Sequence, residues 1–179
     1  MITQVDKIIV YHNEDLVGTL QMTPDGKSCV FEYSQQWLRD GFALSPLELP
    51  LSSDLLYAQP DKFDGNFAVF EDSMPDGYGL YLIDRMLRKE GFQLKNLTPL
   101  QRLAIVGSSG MGALRYEPYI ELDKSDMKVS MDQLDEVQQK ALDILSEKDE
   151  GDESLLYYNS ANSGGARPKV VMADSQGTH

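Results

Sequence analysis

Short apolar blocks separated by polar turns dominate the first quarter of the chain, and a three-to-four-residue apolar spacing replaces them further on. Ile8-Ile9-Val10-Tyr11 predicts a strand, Asn13-Glu14-Asp15 a turn, and Leu16-Val17-Gly18-Thr19-Leu20 the returning strand. Pro24-Asp25-Gly26 predicts a further turn into Cys29-Val30-Phe31-Glu32-Tyr33. Three strands so close together imply an antiparallel sheet. Ser34 is placed to cap a short helix carrying Trp37 and Leu38, with Gly41 as its left-handed stop. Leu47-Glu48-Leu49-Pro50-Leu51 alternates like an edge strand, where proline is tolerated because edge positions need not donate.

Helical spacing begins after Met74-Pro75-Asp76-Gly77. Leu80, Ile83, Met86 and Leu87 lie on one face of a helix of about four turns that stops at Gly91. Thr98-Pro99-Leu100-Gln101 predicts a second start, with Thr98 as N-cap, Pro99 in the first turn and Gln101 completing a capping box. That helix carries Leu103, Ala104, Ile105 and Val106 and leads through Gly107-Ser108-Ser109-Gly110-Met111-Gly112 into a strand at Ala113-Leu114-Arg115-Tyr116. Ser130 caps a further amphipathic pattern, Leu134, Val137, Ala141, Ile144 and Leu145, and Leu155-Leu156-Tyr157-Tyr158 makes a short aromatic turn.

With 179 residues, 41% of them hydrophobic, the chain can bury one core and open a second domain. Its net charge of −13 argues against a nucleic-acid or anionic-membrane surface here, because phosphate binding depends on Lys and Arg. The charge is uneven: residues 121–153 hold 12 acids and four lysines, a net of −8, which predicts a solvated face, whereas residues 154–179 carry Arg167 and Lys169 against Asp174, a net of +1. The one cysteine, Cys29, sits in an apolar run suited to burial and implies a reducing compartment. The first residues lack a signal-peptide pattern and no stretch approaches the roughly 20 apolar residues of a membrane span, so a cytoplasmic protein is expected.

The basic end holds the candidate chemistry. In Ser163-Gly164-Gly165-Ala166-Arg167-Pro168-Lys169, paired glycines let a turn approach a polyanion closely, and two cations flank it, Arg167 able to grip an oxyanion bidentately and Lys169 acting as a point charge. Val170-Val171-Met172-Ala173 then predicts a strand and Asp174-Ser175-Gln176-Gly177 a turn, with only Thr178 and His179 beyond. The expectation is the front of a longer nucleotide-binding protein, cut inside a hairpin. Other motifs read as structural. The loop at 107–112 lies at a helix C-terminus, where the dipole repels anions, and holds no Lys or Arg. Asp72, Asp76 and Asp84 have no spacing that fixes a metal, His12 has no partner ligand nearby, and Phe31, Tyr33 and Trp37 are expected in the core.

The order and spacing of Phe31-Glu32-Tyr33 with Trp37-Leu38, Ala43-Leu44-Ser45 with Leu49-Pro50-Leu51, Met74-Pro75-Asp76-Gly77-Tyr78-Gly79, Pro99-Leu100 with Leu103-Ala104 and Val106-Gly107, Gly110-Met111-Gly112-Ala113-Leu114 and Gly164-Gly165-Ala166-Arg167-Pro168-Lys169 resemble the HipA family of serine/threonine kinase toxins, from about residue 5 onward. The resemblance implies an α+β fold: a small antiparallel β-rich subdomain with helices over 1–120, an acidic linker at 121–129, and the start of a kinase-like N-lobe at 130–179, ending at the glycine-rich loop. It further implies ATP and magnesium as cofactors, a protein substrate that is an aminoacyl-tRNA synthetase, and restraint by a HipB-like helix-turn-helix antitoxin, through which alone DNA is met. The family's ATP loop falls on Gly164, Gly165, Ala166, Arg167, Pro168 and Lys169. Its regulatory autophosphorylated serine falls at Asn162, a departure that leaves Ser163 and Ser160 as the candidates. The strand lysine, the catalytic carboxylate and the magnesium ligands that phosphoryl transfer needs all follow the hairpin, so the 179-residue chain alone is expected to be inactive. The rival expectation is a free-standing, antitoxin-like interaction module that docks on a separate kinase; such a module ends near Pro118 and has no use for the glycine loop. A naturally truncated toxin gene is the third.

Overall fold

The computed structural model describes residues 4–75, 77–110, 112–122, 139, 142–143 and 156–157. In chain order the elements are β1 (Lys7–His12), β2 (Asp15–Met22), β3 (Cys29–Tyr33), α1 (Gln35–Asp40), β4 (Leu56–Tyr57), α2 (Ala68–Glu71), α3 (Gly77–Lys89), α4 (Pro99–Val106) and β5 (Leu114–Glu117), with single 3-10 turns at Phe63–Gly65 and Leu94–Asn96. Two compact units emerge. One comprises residues 1–74 and 95–120; the other comprises residues 75–94 and those after 120. Residues 75–94, placed within 1–120 by the sequence, thus group with the later chain.

The first unit is an antiparallel sheet in the order β4-β3-β2-β1-β5. Alternation sets its buried face: Ile8 and Val10 from β1, Leu20 from β2, Cys29, Phe31 and Tyr33 from β3, and Tyr116 from β5. Between Val10 and Tyr11 the β1–β2 register slips, Val10 pairing with Gly18 and Tyr11 with Leu16. The extra residue, Val17, is fully buried beside Gly18, so the bulge adds an apolar side chain that strict alternation would turn to solvent. Phe31, Phe67, Phe70 and Tyr116 form a chain of rings, tilted at Phe31–Phe70 (centroids 5.4 Å apart) and edge-to-face at Phe67–Phe70 (5.9 Å) and Phe70–Tyr116 (6.2 Å).

The packing partner of the sheet is α4, with Leu100, Leu103, Ala104 and Val106 in the same core. Its start is as the sequence predicts. Thr98 Oγ1 accepts from Gln101 N at 3.2 Å, and Gln101 Oε1 accepts from Thr98 N at 3.0 Å. Replacing Thr98 with Ala is expected to cost about 1 kcal/mol, since two first-turn donors lose their acceptors or their geometry; urea unfolding followed by circular dichroism reads this directly, and an unchanged midpoint would refute it.

Two local expectations are corrected. Leu47–Leu51 is not an edge strand; it is a turn with one isolated bridge, Ser45 to Leu49, and the sheet edge is β4 instead. The Leu49 N–H donates to Ser45 O at 2.9 Å and its carbonyl accepts the Tyr33 hydroxyl at 2.7 Å, so the groups a ladder would use are already engaged. Gly41 is not left-handed: it caps α1 at φ −90°, ψ −165°. Glycine is required there by space, because a Cβ would lie 2.5 Å from the Trp37 indole.

In the second unit, α3 buries Tyr78, Leu82, Ile83, Met86 and Leu87; Ile83, Met86 and Leu87 lie where the spacing predicts, whereas Leu80 is only half-buried. Asp84 holds Arg88 one turn on at 2.7 Å. Gly91, at φ +80°, ends the segment, and Phe92 N donates back to Leu87 O at 2.8 Å. Leu156 and Tyr157 are helical and buried.

Candidate functional site

The predicted phosphate loop, Gly164, Gly165, Ala166, Arg167, Pro168 and Lys169, lies outside the described residues, together with Ser160, Ser163, Asp76 and the helix predicted from Ser130. The other motifs are placed. After α4, the Gly107 N–H donates to Leu103 O at 2.9 Å, and Ser109 donates to Val106 O through its N–H at 2.8 Å and its hydroxyl at 2.7 Å. These donors close the helix end and do not point outward as an anion cradle. Among the described residues no three His, Cys, Asp or Glu side chains gather as a metal site.

Cys29 is fully buried, its thiol donating to the Met22 sulfur at 3.7 Å. Burial pushes that thiol up to about 12, with the nearby Glu71 charge acting in the same direction. It is therefore the small hydrophobe its sequence setting predicts and no nucleophile. Phe31 and Tyr33 belong to the core, and Tyr33 reaches across to bond Leu49 O and accept from Leu44 N at 2.9 Å.

His12 and Trp37 have a role that the sequence did not reveal. The two-residue turn at Asn13-Glu14, with Asn13 at φ +54°, brings His12 opposite Asp15 at the end of the β1–β2 hairpin. Ser34 caps α1 by accepting from Trp37 N at 3.0 Å, and its own hydroxyl donates to Leu16 O at 2.7 Å, which ties α1 to the hairpin. The Trp37 Nε1–H then donates to Phe42 O at 2.9 Å, over the close passage that Gly41 permits. The three rings meet: His12 to Trp37 5.5 Å, His12 to Phe42 5.4 Å, Trp37 to Phe42 5.1 Å. Beside them a cavity of about 410 Å³ is bordered by the carboxylates of Asp15 and Asp40. Nothing local in the sequence marks it, because its rings come from a strand end, a helix and the segment after that helix. A smaller cavity of about 130 Å³ lies by Glu48, Tyr57, Lys62 and Asn66.

Such an antiparallel sheet packed against short helices, α1, α2 and α4, defines an α+β module. Residues 8–117 match the family model of the HipA N-terminal domain, and the chain belongs to that family. Among solved structures, the chain is similar to one in the complex of the Shewanella oneidensis MR-1 toxin–antitoxin system, HipA with HipB and operator DNA, at 18% identity and a TM-score of 0.43, covering 74% of this chain and 29% of that one. The chain thus spans less than a third of the matched protein. No curated protein matches it in sequence. Among the described residues no helix is long and apolar enough to cross a membrane.

Proposed function

We propose that this chain is the N-terminal part of a HipA-type serine/threonine kinase toxin of a toxin–antitoxin system, acting in the cytoplasm. The observation that carries the reading is the family match over residues 8–117, supported by a glycine-rich, locally basic run at 164–169 downstream of it. The sheet and α4 serve as scaffold. Gly164 and Gly165 let backbone amides approach the phosphates of ATP, and Arg167 and Lys169 supply positive charge beside them. Magnesium ligands and the catalytic carboxylate belong to further kinase elements, as does binding of the protein substrate, an aminoacyl-tRNA synthetase. A HipB-like antitoxin restrains the whole, with Ser163 or Ser160 as the site of regulatory phosphorylation.

A second reading, an antitoxin-like interaction module, is favoured by one observation: the family match itself ends at residue 117. Incubating the 179-residue chain with magnesium and ATP radiolabelled at its γ-phosphate separates the two when any longer product of the gene is tested beside it. The kinase reading expects no labelling of the chain alone and labelling of the longer product, lost when Lys169 and Arg167 are both replaced by Ala. Turnover by the chain alone would contradict it, and so would a frame that stops after His179 while the chain inhibits a kinase encoded elsewhere.

A further inference from the structure

We propose that the cavity between the β1–β2 hairpin and α1 receives the guanidinium of an arginine side chain presented by a partner protein. Its walls are aromatic, His12, Trp37 and Phe42, and its rim carries the carboxylates of Asp15 and Asp40. Phe42 is 52% exposed although it sits beside a rigid indole, so a large apolar face is left uncovered at the cavity mouth. Asp15 and Asp40 are both exposed, and among the described residues neither forms an ion pair or a side-chain hydrogen bond. By contrast Glu14, next to Asp15, already holds Arg115 at 3.3 Å.

Ring faces carry negative potential and attract a cation lying over them, and free carboxylates add charge and acceptors. An anion is repelled by the same rim and by the chain's net charge of −13. An uncharged apolar group would strip water from two carboxylates without pairing them. Among cations the guanidinium fits best, because it is planar, weakly hydrated, stacks on rings and forks toward carboxylates, whereas an ammonium is a compact, strongly hydrated point. The acidic surroundings favour a basic protein surface as the source of that arginine. This site shares no residue with the glycine loop, so it stands or falls apart from the kinase reading.

Trp37 is the chain's one tryptophan, so its fluorescence reports on this cavity alone. The full chain is titrated with the tripeptide N-acetyl-glycyl-arginyl-glycine amide, with its citrulline counterpart, which is isosteric but uncharged, and with free arginine. Shifts of the His12 and Phe42 ring protons provide a second readout should the indole emission be insensitive. A saturable response to the arginine peptide is expected, with the citrulline peptide at least about tenfold weaker. Phe42→Ala and Asp40→Asn should each weaken binding roughly three- to tenfold, while Asp54→Asn, which is also exposed but does not line the cavity, should leave it unchanged. Equal binding of the citrulline peptide, or indifference to both Phe42→Ala and Asp40→Asn, overturns the proposal. Free arginine binding more tightly than the peptide overturns the partner-protein source. Absence of saturation in both readouts overturns the site.

Discussion

Gly65→Ala is expected to destabilise the chain by roughly 3–5 kcal/mol, while Gly26→Ala should cost only about 1–2 kcal/mol. The two glycines have similar backbones, φ +78° at Gly65 and φ +69° at Gly26, so both substitutions impose the same left-handed strain on an L-residue. They differ in space. Around Gly26 nothing lies within 4 Å of an added Cβ. At Gly65 that atom would stand 2.8 Å from Ser28 Cα and closer still to the Lys27 carbonyl oxygen, which are backbone atoms that cannot rotate aside. The only relief is to move the Phe63–Gly65 turn off the β2–β3 connection. That turn is itself strained, with Phe63 at φ +49° and Asp64 at φ +54°, and it is held by Gly65 N donating to Lys62 O at 2.8 Å and by Arg102 gripping Asp64 at 2.9 Å. Against a typical domain stability of about 5–15 kcal/mol, the loss at Gly65 is a large share. Urea unfolding of the two variants in parallel checks the claim: coincident midpoints would show that the close approach at Gly65 carries no weight.

What the sequence announced was what adjacent residues decide. The three opening strands follow from alternation and from turn residues between them, and they occur at Lys7–His12, Asp15–Met22 and Cys29–Tyr33. The capping box at Thr98 is legible because donor and acceptor stand three residues apart. Where a distant group intervenes, local pattern fails. Leu47–Leu51 alternates in sequence but not in burial, since Leu49 is buried while Leu47 is 94% exposed, and the Tyr33 hydroxyl takes the Leu49 carbonyl that a ladder would use. The true edge, Leu56–Tyr57, is too short for any periodicity to register. Val17 is buried only through a register slip against β1, which no reading of β2 alone could supply.

The same division holds for chemistry. The proposed phosphate loop, which lies outside the described residues, rests on a pattern of seven consecutive positions, 163–169. The ring cavity does not, because His12, Trp37 and Phe42 are ordinary core or surface residues until a two-residue turn and a helix cap bring them within 5.5 Å of one another. For His12 the sequence predicts only that no partner ligand for a metal lies beside it; its ring neighbours are aromatic and come from across the fold.

Alkaline pH should unfold the first unit through the groups its core keeps protonated. Burial raises Cys29 from its ordinary 9.0 to about 12, and burial likewise raises Tyr33 and Tyr116 above the ordinary 10.0, against the opposing effect of their hydrogen bonds to Leu44 N and Ser73. A raised acid constant means that the folded chain holds its proton where the unfolded chain releases it. Stability from these groups is therefore intact below about pH 9 and is lost as pH rises through the folded values. The thiol acts first, because its unfolded value is lower, and the phenols add their slope about one pH unit later. Each group steepens the loss by about 1.4 kcal/mol per pH unit, so by about pH 11 the cumulative decline is on the order of 4 kcal/mol from Cys29 and Tyr116 alone. Urea midpoints measured from pH 8 to 11 follow it. Cys29→Ala should flatten the first segment of that decline and Tyr116→Phe the second, whatever each does to stability at neutral pH, because removing a titrating group removes its slope and leaves the slope of the other. A midpoint that stays level across the whole range, or a decline that neither variant alters, would mean that these side chains reach solvent in the folded chain and that the core around Phe31 and Phe70 is looser than its ring contacts indicate.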